Sequence, residues 1–272
     1  MKTNLRLKVM TSSPEGFWAN STLIEGEKDA ILIDAQFTLS EAHRVAASIL
    51  ESRKNLTAIY ITHFHPDHYF GLSVLKEAFP QAKMIALPST IKNIKANWEN
   101  EMKTWKPIYG DNLPLRPIIP EALTGTTLTL EGETLEIVGE LQGDARDNSY
   151  VWIPSIKAVV SGDIVFNGLY PWTLETSPAE RKEWIKSLDK VAALGPLVVV
   201  GGHKNPEMKD DLSGVWFTKS YLAHYDEVLA SSRTADEFRS KIKGKFPDLG
   251  LEVILQMASD AAFANDQKKT AA

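Results

Sequence analysis

Three imidazoles and a carboxylate fall within six residues, His63-Phe64-His65-Pro66-Asp67-His68. Each is a competent ligand for a divalent cation, and imidazoles this close repel one another when protonated, so the run favours a bound metal or neutral rings over a solvated charge cluster. A loop between a strand and a helix can turn His63 and His65 to one side and Asp67 and His68 to another, which is enough to serve two ions. Packing gives no reason for such a run, and the bland alternative is an incidental histidine-rich loop. The chemistry open to a metal pair is activation of water and polarisation of a carbonyl or phosphoryl oxygen. The chain has no cysteine, which excludes disulfides, thiolate zinc sites and cysteine nucleophiles together and leaves histidine and carboxylates as ligands.

The elements that must hold this loop are legible on both sides of it. Residues 1–11 read as a first strand, and 23–24 and 30–34 as a hairpin turning through Gly26 and Asp29. Leu39, Ala42, Val45, Ala46, Ile49 and Leu50 fall at helical spacing over 39–53, and a β-branched strand follows over 56–62. Beyond the loop the pattern predicts a helix over 69–79, a strand over 83–87, a helix from 89 to about 105 and an irregular, proline-dense stretch over 107–120. Strands over 126–130, 134–138, 149–153 and 158–160 suggest a second sheet. Pro178, capped by Ser177, starts a helix running to 194, and 197–200 is a short buried strand. The remainder reads as helices over 212–230, 234–245 and 251–263, with a polar, frayed tail from Asn265.

Composition removes the more unusual classes. A chain of 272 residues with 43% hydrophobic and 24% charged residues is an ordinary globular protein able to bury a core without staples. The net charge of −5 argues against a nucleic-acid face, since phosphate neutralisation needs clustered Lys and Arg. No run of 18 apolar residues reads as a membrane span and residues 1–11 lack the apolar core of a secretory signal, so a cytoplasmic location is expected. Strand and helix blocks that repeat the same grammar point to an α+β sandwich.

The segment His63-Phe64-His65-Pro66-Asp67-His68 resembles the HxHxDH signature of the metallo-β-lactamase superfamily, and the strand before it fits that context. Ser161-Gly162-Asp163 after a hydrophobic strand resembles the family's bridging aspartate, and Val200-Gly201-Gly202-His203 its last histidine ligand. The resemblance covers about residues 20–205. It implies a four-layer αβ/βα sandwich over 1–210, with a helical C-terminal extension over 211–272 packed on the same domain. It also implies two divalent ions, zinc first with manganese or iron also able to serve, held by His63, His65, Asp67, His68, Asp163 and His203. Asp67 would additionally act in catalysis by orienting a hydroxide that bridges the metals and passing a proton to the leaving group.

The chain departs from the pattern at one ligand. The family supplies a further histidine from a Gly-His-Thr segment, but this sequence has no histidine between 68 and 203. The stretch Gly143-Asp144-Ala145-Arg146-Asp147-Asn148-Ser149 aligns with it and places Asp144 where the histidine would stand. Gln142 and Asp147 compete for the role, and Asp144 could instead merely cap its loop. Carboxylate for imidazole makes a harder, more negative site.

Phe17, Trp18, Tyr69 and Trp172 are candidate substrate-binding residues, Trp98 and Trp105 read as helix packing, and Lys204 could attract an anion. His43 and His224 lie outside the motif order. The resulting expectation is a hydrolase of a small-molecule ester, lactone, thioester or amide. Two alternatives stay open: a mononuclear iron oxygenase built on His63, His65 and Asp144, and a metal-poor binding or sensing protein. The C-terminal helices could cover the pocket or join two subunits in a homodimer.

Overall fold

Apolar residues at period two give the strands two buried faces, and helices on one side and a second sheet on the other take one face each. The computed structural model describes the backbone of residues 4–270 and the side chains of 4–264. Met1–Thr3 of the expected first strand, Ala271 and Ala272, and the side chains of the polar tail from Asn265 therefore lie outside the described residues. The first sheet takes its strands in chain order: β1 (Arg6–Thr11), β2 (Asn20–Glu25), β3 (Asp29–Ile33), β4 (Asn55–Ile61), β5 (Lys83–Ala86) and β6 (Glu121–Ala122). β1 to β3 are antiparallel, and β3 to β6 run parallel. The parallel crossovers contain α1 (Leu39–Ser52), then α2 (Pro66–Tyr69) and α3 (Leu72–Ala78), then α4 (Pro88–Tyr109).

The second sheet comprises β7 (Thr127–Leu130), β8 (Glu133–Leu141), β9 (Asn148–Ile153) and β10 (Ala158–Val160) as antiparallel neighbours. After β11 (Phe166–Asn167) and α5 (Pro178–Ala193), the chain returns as β12 (Val198–Val200), parallel to β10. The short β13 (His203–Lys204) pairs with β11. The chain then continues through α6 (Ser213–Ser231), α7 (Ala235–Lys245) and α8 (Glu252–Thr270).

Alternation sorts the side chains into layers. Ile24, Ile31, Ile33, Ala58 and Tyr60 face the second sheet and pack with Leu135, Ile137, Val151, Ile153, Val160 and Val200. Their neighbours Leu23, Leu32, Ile59 and Ile61 face the other way, under Val45 and Ile49 of α1, Leu72 and Leu75 of α3 and Ile94 of α4. On the far side of the second sheet Tyr150, Val159 and Val199 pack with Trp184 and Leu188 of α5 and Val215 and Leu222 of α6. The result is the αβ/βα sandwich, with α7 and α8 closing a fourth cluster of Tyr170, Tyr221, Tyr225, Phe238, Ile254 and Leu255. Each fully buried aliphatic side chain here contributes about 1.5–3 kcal/mol, and a one-residue slip in any strand would exchange its two sets.

Several expected boundaries differ: β2 starts at Asn20, β8 runs on to Leu141, and α8 continues to Thr270 through the tail expected to fray from Asn265. The helix expected over 69–79 is two pieces, α2 opened by Pro66 at its first position and α3 starting at Leu72. The helix expected to stop near Trp105 continues to Tyr109 with Pro107 inside it. Trp105 and Tyr109 both pack edge-on against Phe37, at 5.4 and 4.8 Å between ring centroids, and this aromatic anchorage holds the last turn despite the lost backbone donor. At the other end of the chain the caps follow the expectation. Ser177 and Glu180 form a reciprocal capping box on α5, and Thr234 accepts the Glu237 N–H on α7.

Candidate metal centre

The C-terminal ends of parallel strands deliver the site. β4 runs into Thr62 and His63, β10 into the turn that holds Asp163, and its parallel neighbour β12 into Gly201, Gly202 and His203. The turn between β8 and β9 brings Asp144 to the same edge, where its N–H donates to the Asp163 carbonyl at 3.2 Å. Cross-links hold these loops in place. Asn20 donates through its side chain to the Gly201 carbonyl (2.9 Å) and through its backbone to the Gly202 carbonyl (2.7 Å). Ser149 donates to the Thr62 carbonyl at 2.6 Å, and Trp184 to the Ile164 carbonyl at 2.8 Å. Gly202 is required by closeness, because a Cβ there would stand 1.8 Å from Asp163 Oδ1.

Two groups of candidate ligands result, His63, His65, Asp144 and Asp163 in one and Asp67, His68 and His203 in the other, each with ligand atoms within 4.8 Å of one another. Asp163 lies between them. Its Oδ1 is 3.1 Å from His68 Nε2, and its Oδ2 is 3.1 Å from His203 Nε2 and 3.8 Å from His63 Nε2. Asp67 Oδ2 is 3.1 Å from His203 Nε2.

Hydrogen bonds on the far side of each ring determine which nitrogen faces inward. Thr62 Oγ1 donates to Asp34 (2.8 Å), so His63 Nδ1, 3.0 Å away, donates to Thr62 and leaves Nε2 bare. His68 Nδ1 donates to Asp34 Oδ2 at 2.8 Å, and His203 Nδ1 to the Phe17 carbonyl at 2.6 Å, again leaving Nε2. His65 is reversed, with Nδ1 2.8 Å from Asp144 Oδ2 and Nε2 3.2 Å from Glu175 Oε1, neither contact being aligned as a hydrogen bond. Asp34, read from sequence only as a strand end, thus orients two ligands at once. It sits at φ +61° immediately after β3, and a polar residue closing an apolar strand next to the loop was the only signal of its role.

Asp144 is held through Oδ1 by Asn148 Nδ2 (3.1 Å), which aims Oδ2 at the site. The competitors point elsewhere. Asp147 accepts from Asn93 of α4 at 2.9 Å, and Gln142 donates to the Gly143 carbonyl at 3.1 Å.

The electrostatics fit a cation. Burial, reinforced by the neighbouring His68, pushes His63 well below the ordinary imidazole range. Burial pushes Asp144 up to about 7 although His65 draws it down. Against the cost of burial, Asp163 and Asp67 raise His203 to about 10, and His68 and His203 lower Asp67 to about 2. His63 Nε2, Asp144 Oδ2 and Asp163 Oδ1 are buried with no hydrogen-bond partner. Such orphaned groups are costly unless something else satisfies them, and imidazole and carboxylate donors converging at this spacing suit divalent ions.

A cavity opens beside the ligands and is lined by Phe17, Trp105, Trp172, Phe166, Glu101 and Glu175 among others. Of the four expected wall residues, Phe17 and Trp172 line it. Tyr69 is buried in the core beneath α4, its ring packed against Phe70 and Trp98. Trp18 packs on Gly250, where a Cβ would stand 2.0 Å from its Cζ3, so its indole is spent on fastening the C-terminal segment. Trp105, read as helix packing, also lines the cavity. Glu101 and Glu175 carried no sequence signal, since single acids on a helix face or in a loop are commonplace. Lys204 pairs with both Asp210 oxygens at 2.8 Å and does not line the cavity. His43 is exposed and His224 lies near Glu227, both remote from the centre.

The chain belongs to the metallo-beta-lactamase superfamily, whose family model matches residues 16–203. Here Asp144 occupies the position where the resemblance calls for a histidine. A metallo-beta-lactamase family protein from Thermus thermophilus superposes with a TM-score of 0.66 at 20% identity, covering 98% of this chain and 94% of that one. The DIM-1 metallo-beta-lactamase gives 0.61 at 20% identity over 81% of this chain and 97% of its own. A metallo-beta-lactamase from Pontibacter korlensis gives 0.61 at 18% identity, with 81% and 99% covered. These likenesses establish the fold. No curated protein sequence matches the chain significantly. Among the described residues no helix is long and apolar enough to cross a membrane.

Proposed function

We propose that this protein is a dinuclear metal-dependent hydrolase of a small-molecule ester, lactone, thioester or amide, with zinc as the first choice of metal and manganese or iron as substitutes. The observation that carries the reading is the pair of adjacent ligand groups flanking Asp163, at the foot of a cavity walled by aromatic side chains. His63, His65, Asp144 and Asp163 would hold one ion, and Asp67, His68 and His203, with Asp163 shared, the other. Bound divalent ions supply Lewis acidity towards an acyl oxygen and make water acidic near neutral pH. The protein's own groups do the rest. Asp34, Thr62 and the Phe17 carbonyl fix the imidazole tautomers. Asp67, which lines the cavity and is held ionised by His68 and His203, is placed to accept a proton from the attacking water and return it to the leaving group. Phe17, Trp105 and Trp172 exclude water around an apolar substrate body.

Metal analysis of protein purified without chelator, followed by assay against chromogenic esters, thioesters and lactones, tests this. Near two ions per chain and hydrolysis that is lost to chelator and restored by zinc are expected. Iron alone, with oxygen uptake, would favour the oxygenase reading, for which His63, His65 and Asp144 supply a two-histidine, one-carboxylate set. Failure to take up metal would favour a binding protein and end the hydrolase proposal.

A further inference from the structure

The cavity has an electrical character that the ligand set alone does not explain. Among the described residues that line it there are four carboxylates besides Asp144, namely Asp67, Asp163, Glu101 and Glu175, and no lysine or arginine. Five carboxylates outnumber the four positive charges that two divalent ions would bring, even before Asp34 behind His68 is counted. Burial raises the Glu101 carboxyl above its ordinary value, and with Glu101 ionised a loaded site built this way stays negative towards an incoming substrate. Lys204, next to His203, is neutralised by Asp210, and Lys106, next to Trp105, pairs with Asp111.

Glu101 and Glu175 are also placed in a particular way. Trp105 Nε1 donates to Glu101 Oε2 at 3.1 Å, and Trp172 Nε1 donates to Glu175 Oε1 at 3.2 Å. Each acid is therefore paired with an indole that lines the same cavity, with Phe17 edge-on to Trp105 at 5.4 Å. Indole bonding orients the rings and leaves the remaining carboxylate lone pairs available. The thin positioning of Glu175, whose side chain is 44% exposed, is reinforced from behind. Arg181 of α5 is buried, donates to the Thr176 carbonyl and hydroxyl and pairs with Asp226 of α6 at 2.7 Å. Aromatic faces combined with carboxylates in a partly desolvated cleft are the chemistry that receives an ammonium or quaternary ammonium group. An anionic substrate would instead meet uncompensated like charge.

We propose that the cavity selects a cationic substrate, an ammonium or quaternary ammonium group on an apolar body, received by Glu101 and Glu175 with the indoles of Trp105 and Trp172. Which bond is cut rests on the hydrolase reading, but the charge preference is measurable without it. Three probes sharing one ring, benzyltrimethylammonium, benzyl alcohol and phenylmethanesulfonate, are titrated calorimetrically into the zinc-loaded full chain at low salt. The quaternary ammonium cannot ligate metal, so its binding reports the walls alone. It should bind about tenfold tighter than the alcohol, with the sulfonate weakest and the preference shrinking as salt rises. Glu101→Gln, which replaces a residue bonded to Trp105 rather than to a ligand, should weaken that preference at unchanged zinc content, and the double variant with Glu175→Gln should erase most of it. Sulfonate binding as tight as the ammonium's, no ammonium binding, or a preference that survives both variants would overturn the proposal. A chain that binds the ammonium yet hydrolyses nothing refutes only the hydrolase reading. One that hydrolyses esters but favours anionic probes refutes only the cationic preference.

Discussion

Asp144 replaces imidazole nitrogen by a buried carboxylate whose protonation midpoint is lifted to about 7. The ion it would hold must compete with a proton near neutral pH, and metal uptake there releases that proton. Asp144→His should therefore preserve or increase zinc content at pH 7, read by metal analysis of the purified variant. A collapse of zinc content in a folded variant would mean that the loop is not a ligand loop. Asp34 makes no approach to the metal position, yet it fixes the tautomer of His68 directly and of His63 through Thr62. Asp34→Asn should weaken zinc affinity on the order of 10–100-fold, measured by competition with a chromophoric chelator. Wild-type affinity in this variant would show that the ligands are oriented by packing alone.

At the scale of elements, the site depends on how closely β10 and β12 bring their C-terminal turns together. Gly202 is where the two turns touch, and a methyl group there would overlap Asp163 Oδ1. Gly202→Ala should abolish binding at both positions, because Asp163 stands between them, while far-ultraviolet circular dichroism stays close to wild type. Full zinc content would indicate that the turn is free to retreat. The histidine-rich run, the Asp163 turn and the Gly-Gly-His203 turn were legible in sequence because each is local, a few residues after an apolar strand. Glu101, Glu175 and Asp34 were not. Glu101 lies on an amphipathic helix among other acids, and only the seating of α4 over Phe37 brings it to the cavity. Tyr69 follows the motif directly, but α2 ends at it and turns its ring into the core.

At the scale of the whole molecule, the metal-free protein buries paired titratable groups whose protonation is coupled to folding. His203 titrates at about 10 in the folded chain against 6.5 when unperturbed, and Asp144 at about 7 against 3.8. Both shifts are upward, so the folded state holds the extra protons and their stabilisation is lost as pH rises through the folded values. Asp67 is displaced the other way, to about 2, and its contribution disappears only in strong acid. The melting temperature of chelator-treated protein should therefore fall between pH 6 and 9. Zinc should raise it, by a margin that grows with pH as the ligands lose their competing protons. A melting temperature that climbs from pH 6 to 9 without metal would contradict the burial and pairing described for these groups.

Sequence alone determined the alternation that sorts each strand into two faces, the order of ligand-bearing turns, and the exchange of histidine for aspartate at position 144. All of these follow from residue type and short spacing. Tertiary structure alone decided which nitrogen each ring presents, whether Asp144, Asp147 or Gln142 faces the metal position, and which aromatics and acids line the cavity. Those outcomes depend on contacts between segments as distant as Asn20 and Gly201, and a hydrogen bond across that separation leaves no local trace in the chain.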